Sequence, residues 1–542
     1  MKRTKIRSYC IASIALMSAA PFFGANQKNN KENAKKPNLL FIITDQQRFD
    51  ALGIVGAFPF LRTPNLDRLA ERGVRFANSY TTCAVSAPAR TSILTGLLVE
   101  HHGMLKNEFV SEDPAKIGLT DKKSFDQILV ENGYYSEYHG KYHTASQWNS
   151  PYSEFIPKKN KKKAVSIIED DQLTYSQFLN KYMPDATPKE GELVDDFFKM
   201  PYAPNPMDRR YGKGSEIPKE ELAKRKHAQP DNHGQLMIPD SLSITSFQAK
   251  ETIAALKRAK QSKKPFSITC SFLFPHAPML PTKPYYGMYP VSEMPVPFSI
   301  DDPHTYSPYK NQNGRNILCE YADKDKIKYM MSDYFGLITE VDHWVGEILK
   351  TLDEIGETDN TMVIFTSDHG EMLGAHGMRE KNVFYEESAR VPLIIAYPKQ
   401  IKPAVVERYV SSIDLFPTIM DYLGISSDKR DGVSLRPAIE GKLDGNNGFV
   451  VTEWLYNGIT QPNYMIVKDG WKLYMSYSPK SNVIKVLHNL QKDPHEMVNL
   501  LGGKKVDAQS KAKAKELTAD LINWLSARNS KNVEELKQIS FD

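Results

Sequence analysis

The sequence predicts an α/β sandwich built around a large, mainly parallel sheet. Three observations predict it: apolar runs that stop at polar residues, amphipathic helical stretches between those runs, and a change of character toward the carboxyl end. Leu39-Leu-Phe-Ile-Ile-Thr44 is an uninterrupted apolar run that stops at Asp45, the pattern of a strand covered on both faces. Thr361-Met-Val-Ile-Phe-Thr366 repeats the pattern and runs into Ser367-Asp368-His369, and Phe266–Phe274 is a third such strand ending in Pro275-His276. Thr63-Pro64 opens a helix that Gly73 closes, with Pro just inside the start and Gly past the end. A longer helix covers about Tyr329 to Ile355, where Tyr334, Leu337, Ile338, Val341, Val345, Ile348, Leu349 and Leu352 follow helical spacing. Strands alternating with helices pair side by side in parallel. Ligands of such sheets sit beyond the carboxyl ends of the strands. Asp45, His276, Asp368 and His369 all fall at such ends, so residues far apart in sequence are expected to share one site.

The 542 residues are enough for more than one domain. The first 25 read as a signal peptide: Lys2, Arg3, Lys5 and Arg7, then an apolar run from Ile11 to Phe23, with Ala20 or Ala25 as the cleavage point. That run is short for a bilayer span and no later run reaches spanning length, so a periplasmic or secreted protein without stable membrane insertion is expected. Residues 26–36 form a polar linker. The net charge of +5, less those four cations, leaves +1, which gives no ground for nucleic-acid binding. Lys158, Lys159, Lys161, Lys162 and Lys163 form one basic cluster, read as a solvated loop. Cys83, Cys270 and Cys319 make no disulfide framework and no metal-site spacing, leaving room for one disulfide of unspecified pairing. The catalytic domain is expected over 37–447, with a polar insertion at 144–239, and a smaller α+β subdomain over 448–542. In the latter, Phe449–Thr452, Tyr464–Val467 and Trp471–Met475 read as short strands and Ala508–Ser530 as a polar helix.

The most specific stretch is Ser86-Ala-Pro88-Ala-Arg90-Thr-Ser-Ile-Leu-Thr95-Gly96. It resembles the signature of the type I, formylglycine-dependent sulfatases of the alkaline phosphatase superfamily: Cys or Ser, Pro two on, Arg four on, Thr-Gly at the end. Cys83 is a decoy, because Val85 stands where the Pro would be. The resemblance implies an alkaline-phosphatase-like sandwich and oxidation of Ser86 to 3-oxoalanine. The chemistry is coherent: a serine hydroxyl is a weak nucleophile and would leave a stable sulfate ester. An aldehyde hydrate carries two hydroxyls on one carbon, one to attack sulfur and one to collapse back and expel sulfate.

Further elements resemble the same family. Asp45-Gln46 and Asp368-His369 stand where it places a divalent ion, with residue 86 completing the set. Most members carry Asp-Asp at the first pair, so Gln46 is a departure that supplies a neutral carbonyl oxygen. The resemblance implies Ca2+, with Mg2+ as the alternative. Gly140-Lys141-Tyr-His143 resembles the family's Gly-Lys-aromatic-His element, although Thr144-Ala145 follows where Leu-Gly is common. Pro275-His276-Ala-Pro278 resembles its Pro-His-x-Pro element, and Gly374-Ala-His376-Gly377 with Lys381 its late Lys segment.

These resemblances imply a sulfuric ester hydrolase. Arg90 and Lys141 would hold the hydrate, Lys381 the sulfate oxygens, His276 would protonate the leaving oxygen and His143 would take the proton of the remaining hydroxyl. Lys141, His276, Lys381 and His376 would line the substrate side. A sulfated saccharide, such as a glycosaminoglycan or mucin-type glycan, is the implied substrate, and an anaerobic-type sulfatase-maturating enzyme the implied partner. A phosphonate or phosphate ester hydrolase of the same superfamily, or a catalytically silent sulfated-glycan-binding relative, remains the alternative.

Overall fold

The computed structural model describes residues 35–541 except 146–147, 149–174, 176–177, 179–201, 205–232, 237, 310–322, 444–447, 456–462 and 478–482. The expected signal peptide, the basic cluster, Cys319 and most of the expected insertion lie outside these residues. Residues from Lys36 onward form one compact unit.

In chain order the strands are β1 (Asn38–Thr44), β2 (Val74–Tyr80), β3 (Tyr135–Gly140), β4 (Tyr202–Pro204), β5 (Gly234–Leu236), β6 (Phe266–Ser271), β7 (Thr361–Ser367), β8 (Leu393–Ala396) and β9 (Ala404–Ser411). Then come β10 (Phe449–Glu453), β11 (Tyr464–Lys468), β12 (Trp471–Tyr477) and β13 (Val483–Asn489). Seven form one sheet in the order β3-β6-β1-β7-β8-β2-β9, with β8 antiparallel to its neighbours and the other pairings parallel. The expected mixed, mostly parallel sheet is therefore observed. β10 to β13 form a second, antiparallel sheet.

Alternation along β1 decides the layers. Leu40 and Ile42 pack with the helices Ile244–Ser262 and Lys326–Glu354; Leu39, Phe41 and Ile43 pack on the other face with Ile93, Phe125 and Phe416. A strand buried on both faces has no polar alternation to show, which is why it reads as a continuous apolar run.

Three expected boundaries change. The third strand stops at Ser271, not Phe274, because the chain leaves the ladder ahead of Pro275, which has no N–H to donate. The long helix starts at Lys326, three residues early, because the Asp323 carboxylate accepts from the N–H groups of Asp325 and Lys326. The carboxy-terminal helix ends at Ser526, and a separate short helix covers Val533–Lys537. Cys83 and Cys270 are buried free thiols.

Candidate active site

Four chain segments meet at one place. β1 delivers Asp45 and Gln46, and its neighbour β7 delivers Asp368 and His369. The helix Ser86–Thr95 begins with Ser86 itself, at the end where the helix dipole favours negative charge. Its first turn is tied down by Asn107, whose side-chain oxygen accepts from Ala87 N–H at 3.0 Å. Edge strand β3 runs parallel to β6 and hands over Lys141.

Ligand atoms of Asp45, Asp368 and His369 all lie within 4.8 Å of one another, and all three residues are buried. His369 Nδ1 lies 3.0 Å from the Gly370 carbonyl, which can only accept, so Nδ1 carries the hydrogen and Nε2 keeps its lone pair. That Nε2 is 2.8 Å from Ser86 Oγ and 3.7 Å from Asp368 Oδ1. Among the described residues Asp45 Oδ1 is buried without a hydrogen-bond partner, 3.9 Å from the same nitrogen. An orphaned carboxylate oxygen beside a second carboxylate and an imidazole lone pair fits a divalent cation.

The outer carboxylate oxygens face protein cations. Arg90 Nε donates to Asp368 Oδ2 at 2.8 Å and Arg90 Nη2 to Asp45 Oδ2 at 3.2 Å. The remaining Nη1 donates to Ser271 Oγ and the Lys141 carbonyl at 2.7 and 2.8 Å. Lys141 Nζ also contacts Asp45 Oδ2. Burial opposes ionisation of Asp45, yet Lys141, His276, Arg90 and His369 together hold it well below the usual carboxylate range.

On the open side, Lys381 Nζ donates to the Gln46 side-chain oxygen at 2.6 Å and to His276 Nε2 at 2.9 Å. His276 Nδ1 donates to the Ala277 carbonyl, so its Nε2 is the acceptor. Burial, then the Lys381 charge, push the His276 imidazole well below its ordinary value. Burial, then Lys141, do the same to His143, whose Nδ1 has no hydrogen-bond partner among the described residues.

The structure thus brings together Asp45, Gln46, Ser86, Arg90, Lys141, His276, Asp368, His369 and Lys381, with His143 in the field of Lys141, Asp45, Arg90 and His276. His376 has other neighbours: Nδ1 pairs with Asp302 Oδ2 at 2.5 Å, and the ring stacks on Tyr385 at 3.7 Å. Sequence reading missed Ser271, Asn107 and Glu371. Ser271 obeys the same strand-end rule as Asp45, and Glu371 lies three residues past Asp368. Asn107 gives no signal in the sequence.

Buried metal-type donors beside Arg90, Lys141 and Lys381 suit the hydrolysis of an anionic ester. The sulfatase family profile matches residues 37–425, and a profile for the carboxy-terminal region of N-sulphoglucosamine sulphohydrolase matches 374–523. The chain belongs to the sulfatase family, and it is a sulfatase enzyme. An arylsulfatase of Clostridium perfringens is 29% identical over 503 residues, covering 89% of this chain and 94% of that one. An N-acetylglucosamine-6-O-sulfatase of Bacteroides thetaiotaomicron is 27% identical over 550 residues, covering 94% of this chain and 88% of the relative. A phosphonate monoester hydrolase of Agrobacterium radiobacter superposes with a TM-score of 0.71 at 24% identity, over 91% of this chain and 96% of that one. That likeness speaks for the shared alkaline-phosphatase-like fold.

Proposed function

We propose that this enzyme removes sulfate from a sulfated carbohydrate, using residue 86 as a formylglycine hydrate. The observation that carries the reading is the position of Ser86: first in its helix, with Oγ 2.8 Å from the free nitrogen of His369 at the rim of the metal-type cluster. Oxidation of Ser86 by a radical-type maturating enzyme removes two hydrogens, and water adds to the aldehyde. Asp45, Gln46, residue 86, Asp368 and His369 would hold a divalent cation, calcium with magnesium as the alternative. Such an ion, when bound, lowers the cost of charge developing on sulfate and hydrate oxygens.

The chain's own groups do the rest. Lys381 meets the sulfate oxygens, and Lys141 and Arg90 keep the carboxylates and the hydrate in place. One geminal hydroxyl of residue 86, its proton released to water, attacks sulfur in line as the alkoxide, and the S–O bond to the sugar breaks. His276 gives the departing oxygen its proton. His276 Nε2 accepts from Lys381. An arriving anionic sulfate draws Lys381 to itself and favours protonation of the freed Nε2. His143 then takes the proton of the second hydroxyl, the C–O bond to sulfate breaks, and the aldehyde returns.

A saccharide substrate is supported by the N-acetylglucosamine-6-O-sulfatase among the relatives. The amino-terminal leader supports a periplasmic or secreted location. The phosphonate monoester hydrolase likeness keeps one alternative, a phosphonate or phosphate ester substrate. Mass spectrometry of the peptide holding residue 86 is expected to show the aldehyde or its hydrate. Matched sulfate and phosphate esters of defined saccharides are expected to favour sulfate. An intact serine in fully active enzyme would sink the nucleophile, and faster phosphate cleavage would overturn the substrate class.

A further inference from the structure

Gln46 is held on every side. Its φ of 70° lies in the left-handed region, which a glutamine adopts only under outside constraint. Its N–H donates to Asp368 Oδ1 at 3.1 Å and its carbonyl accepts from the Tyr334 hydroxyl at 2.9 Å. Its side-chain oxygen accepts from Lys381, and its side-chain nitrogen donates to Glu371 Oε2. An amide can be placed either way round, but here its partners leave one choice. Lys381 Nζ can only donate, so it requires the oxygen.

Glu371 is fully buried and has a second task. Its Oε1 accepts from the N–H of Leu373 at 3.0 Å and of Glu380 at 2.6 Å. These two bonds close the turn of residues 371–380, in which Leu373, His376 and Glu380 all have positive φ. Lys381 is the next residue. One carboxylate therefore clips the turn that delivers Lys381 and orients the amide that receives it.

We propose that Glu371 is a positioning residue that acts through Gln46 and Lys381, setting how the ammonium of Lys381 meets the anionic ester. The inference rests on the proposed role of Lys381 in holding sulfate.

Glu371→Gln separates the two tasks. The new side-chain oxygen can still accept from Leu373 and Glu380, which leaves an NH2 facing Gln46. Gln46 then turns its oxygen toward position 371 and its own NH2 toward Lys381, so that two donors face each other. In a crystal structure of E371Q, Lys381 Nζ is expected to leave the side chain of residue 46. The inhibition constant of inorganic sulfate is expected to rise about tenfold, as for loss of one charged hydrogen bond. Because the turned amide also withdraws the Gln46 oxygen from the cation site, the sulfate inhibition is measured at saturating divalent cation. The exchange variant Q46E/E371Q, which restores an acceptor for both Lys381 and the amide at 371, is expected to bring Lys381 back. Lys381 staying on residue 46 in E371Q, or sulfate inhibition equal to that of the wild type, would overturn the proposal. Wild-type protein without sulfate-ester hydrolysis would fail the functional reading instead, while the crystallographic contact would still decide where Glu371 places Lys381.

Discussion

Arg90 and Asp368 face each other as a buried pair, guanidinium Nε to carboxylate Oδ2 at 2.8 Å, with Arg90 only 2% exposed. Arg90 spends its other donors on Asp45, Ser271 and the Lys141 carbonyl, so one planar fork joins β1, β6, β7 and the residue after β3. A lysine carries the same charge but cannot reach four acceptors in that geometry. Arg90→Ala leaves two buried carboxylates short of a partner, and denaturant unfolding is expected to show a loss of roughly 3–5 kcal/mol. Arg90→Lys is expected to fold with a smaller loss and to turn over sulfate esters far more slowly. An R90K enzyme with wild-type turnover would show that the fork is dispensable.

His276 is assigned to the leaving oxygen, and the strength of that demand varies with the substrate. A sugar alkoxide is a poor leaving group and needs its proton; an activated phenolate does not. His276→Ala is expected to lower kcat/KM on a sugar sulfate by about 10²–10⁴-fold, the usual range for a lost general acid. On an activated aryl sulfate the loss is expected to be far smaller. Equal losses on the two substrates would remove His276 from that role.

The parts of this molecule that were legible in the sequence are those with one physical cause. β1 and β7 are covered on both faces, so Leu39–Thr44 and Thr361–Thr366 announce themselves, and the acids just beyond them mark the site. β3 stayed hidden. It is an edge strand whose Glu137 is paired with Arg258 and His139, and its sequence Tyr135-Ser-Glu-Tyr-His-Gly140 shows neither an apolar run nor clean alternation. Yet β3 is what carries Lys141 to Asp45. The contacts of Glu371 were equally invisible. They depend on a turn with several positive φ angles, and no local pattern encodes which backbone N–H a buried carboxylate will meet.

Cys83 tests which residue near the helix start is the modified one. It is 0% exposed, it lies three residues before Ser86, and burial with Glu453 nearby pushes its thiol up, away from the reactive thiolate. Cys83→Ser is therefore expected to leave both turnover and the modification at position 86 unchanged, whereas Ser86→Ala abolishes turnover. Peptide mass spectrometry and an aryl sulfate assay on both variants check this. An aldehyde found at position 83 would reverse the assignment.

Asp126 lies on the helix Phe125–Glu131, fully buried against β6, with Ser267 Oγ at 3.5 Å and its Oδ2 without a hydrogen-bond partner among the described residues. Burial pushes its carboxyl up to about 7, only weakly offset by Ser267. The folded protein therefore holds this proton where the unfolded chain, with a value near 3.8, has released it. Native stability from this site is whole below about pH 4 and is lost as pH rises through about 7. A shift of about three units amounts to as much as ~4 kcal/mol between those limits. Asp126→Asn keeps the shape and removes the charge, so its unfolding free energy at pH 8 is expected to exceed that of the wild type. The difference is expected to shrink toward pH 4. Parallel denaturant titrations at the two pH values measure it, and a pH-independent difference would mean that Asp126 is ionised in the native protein at both.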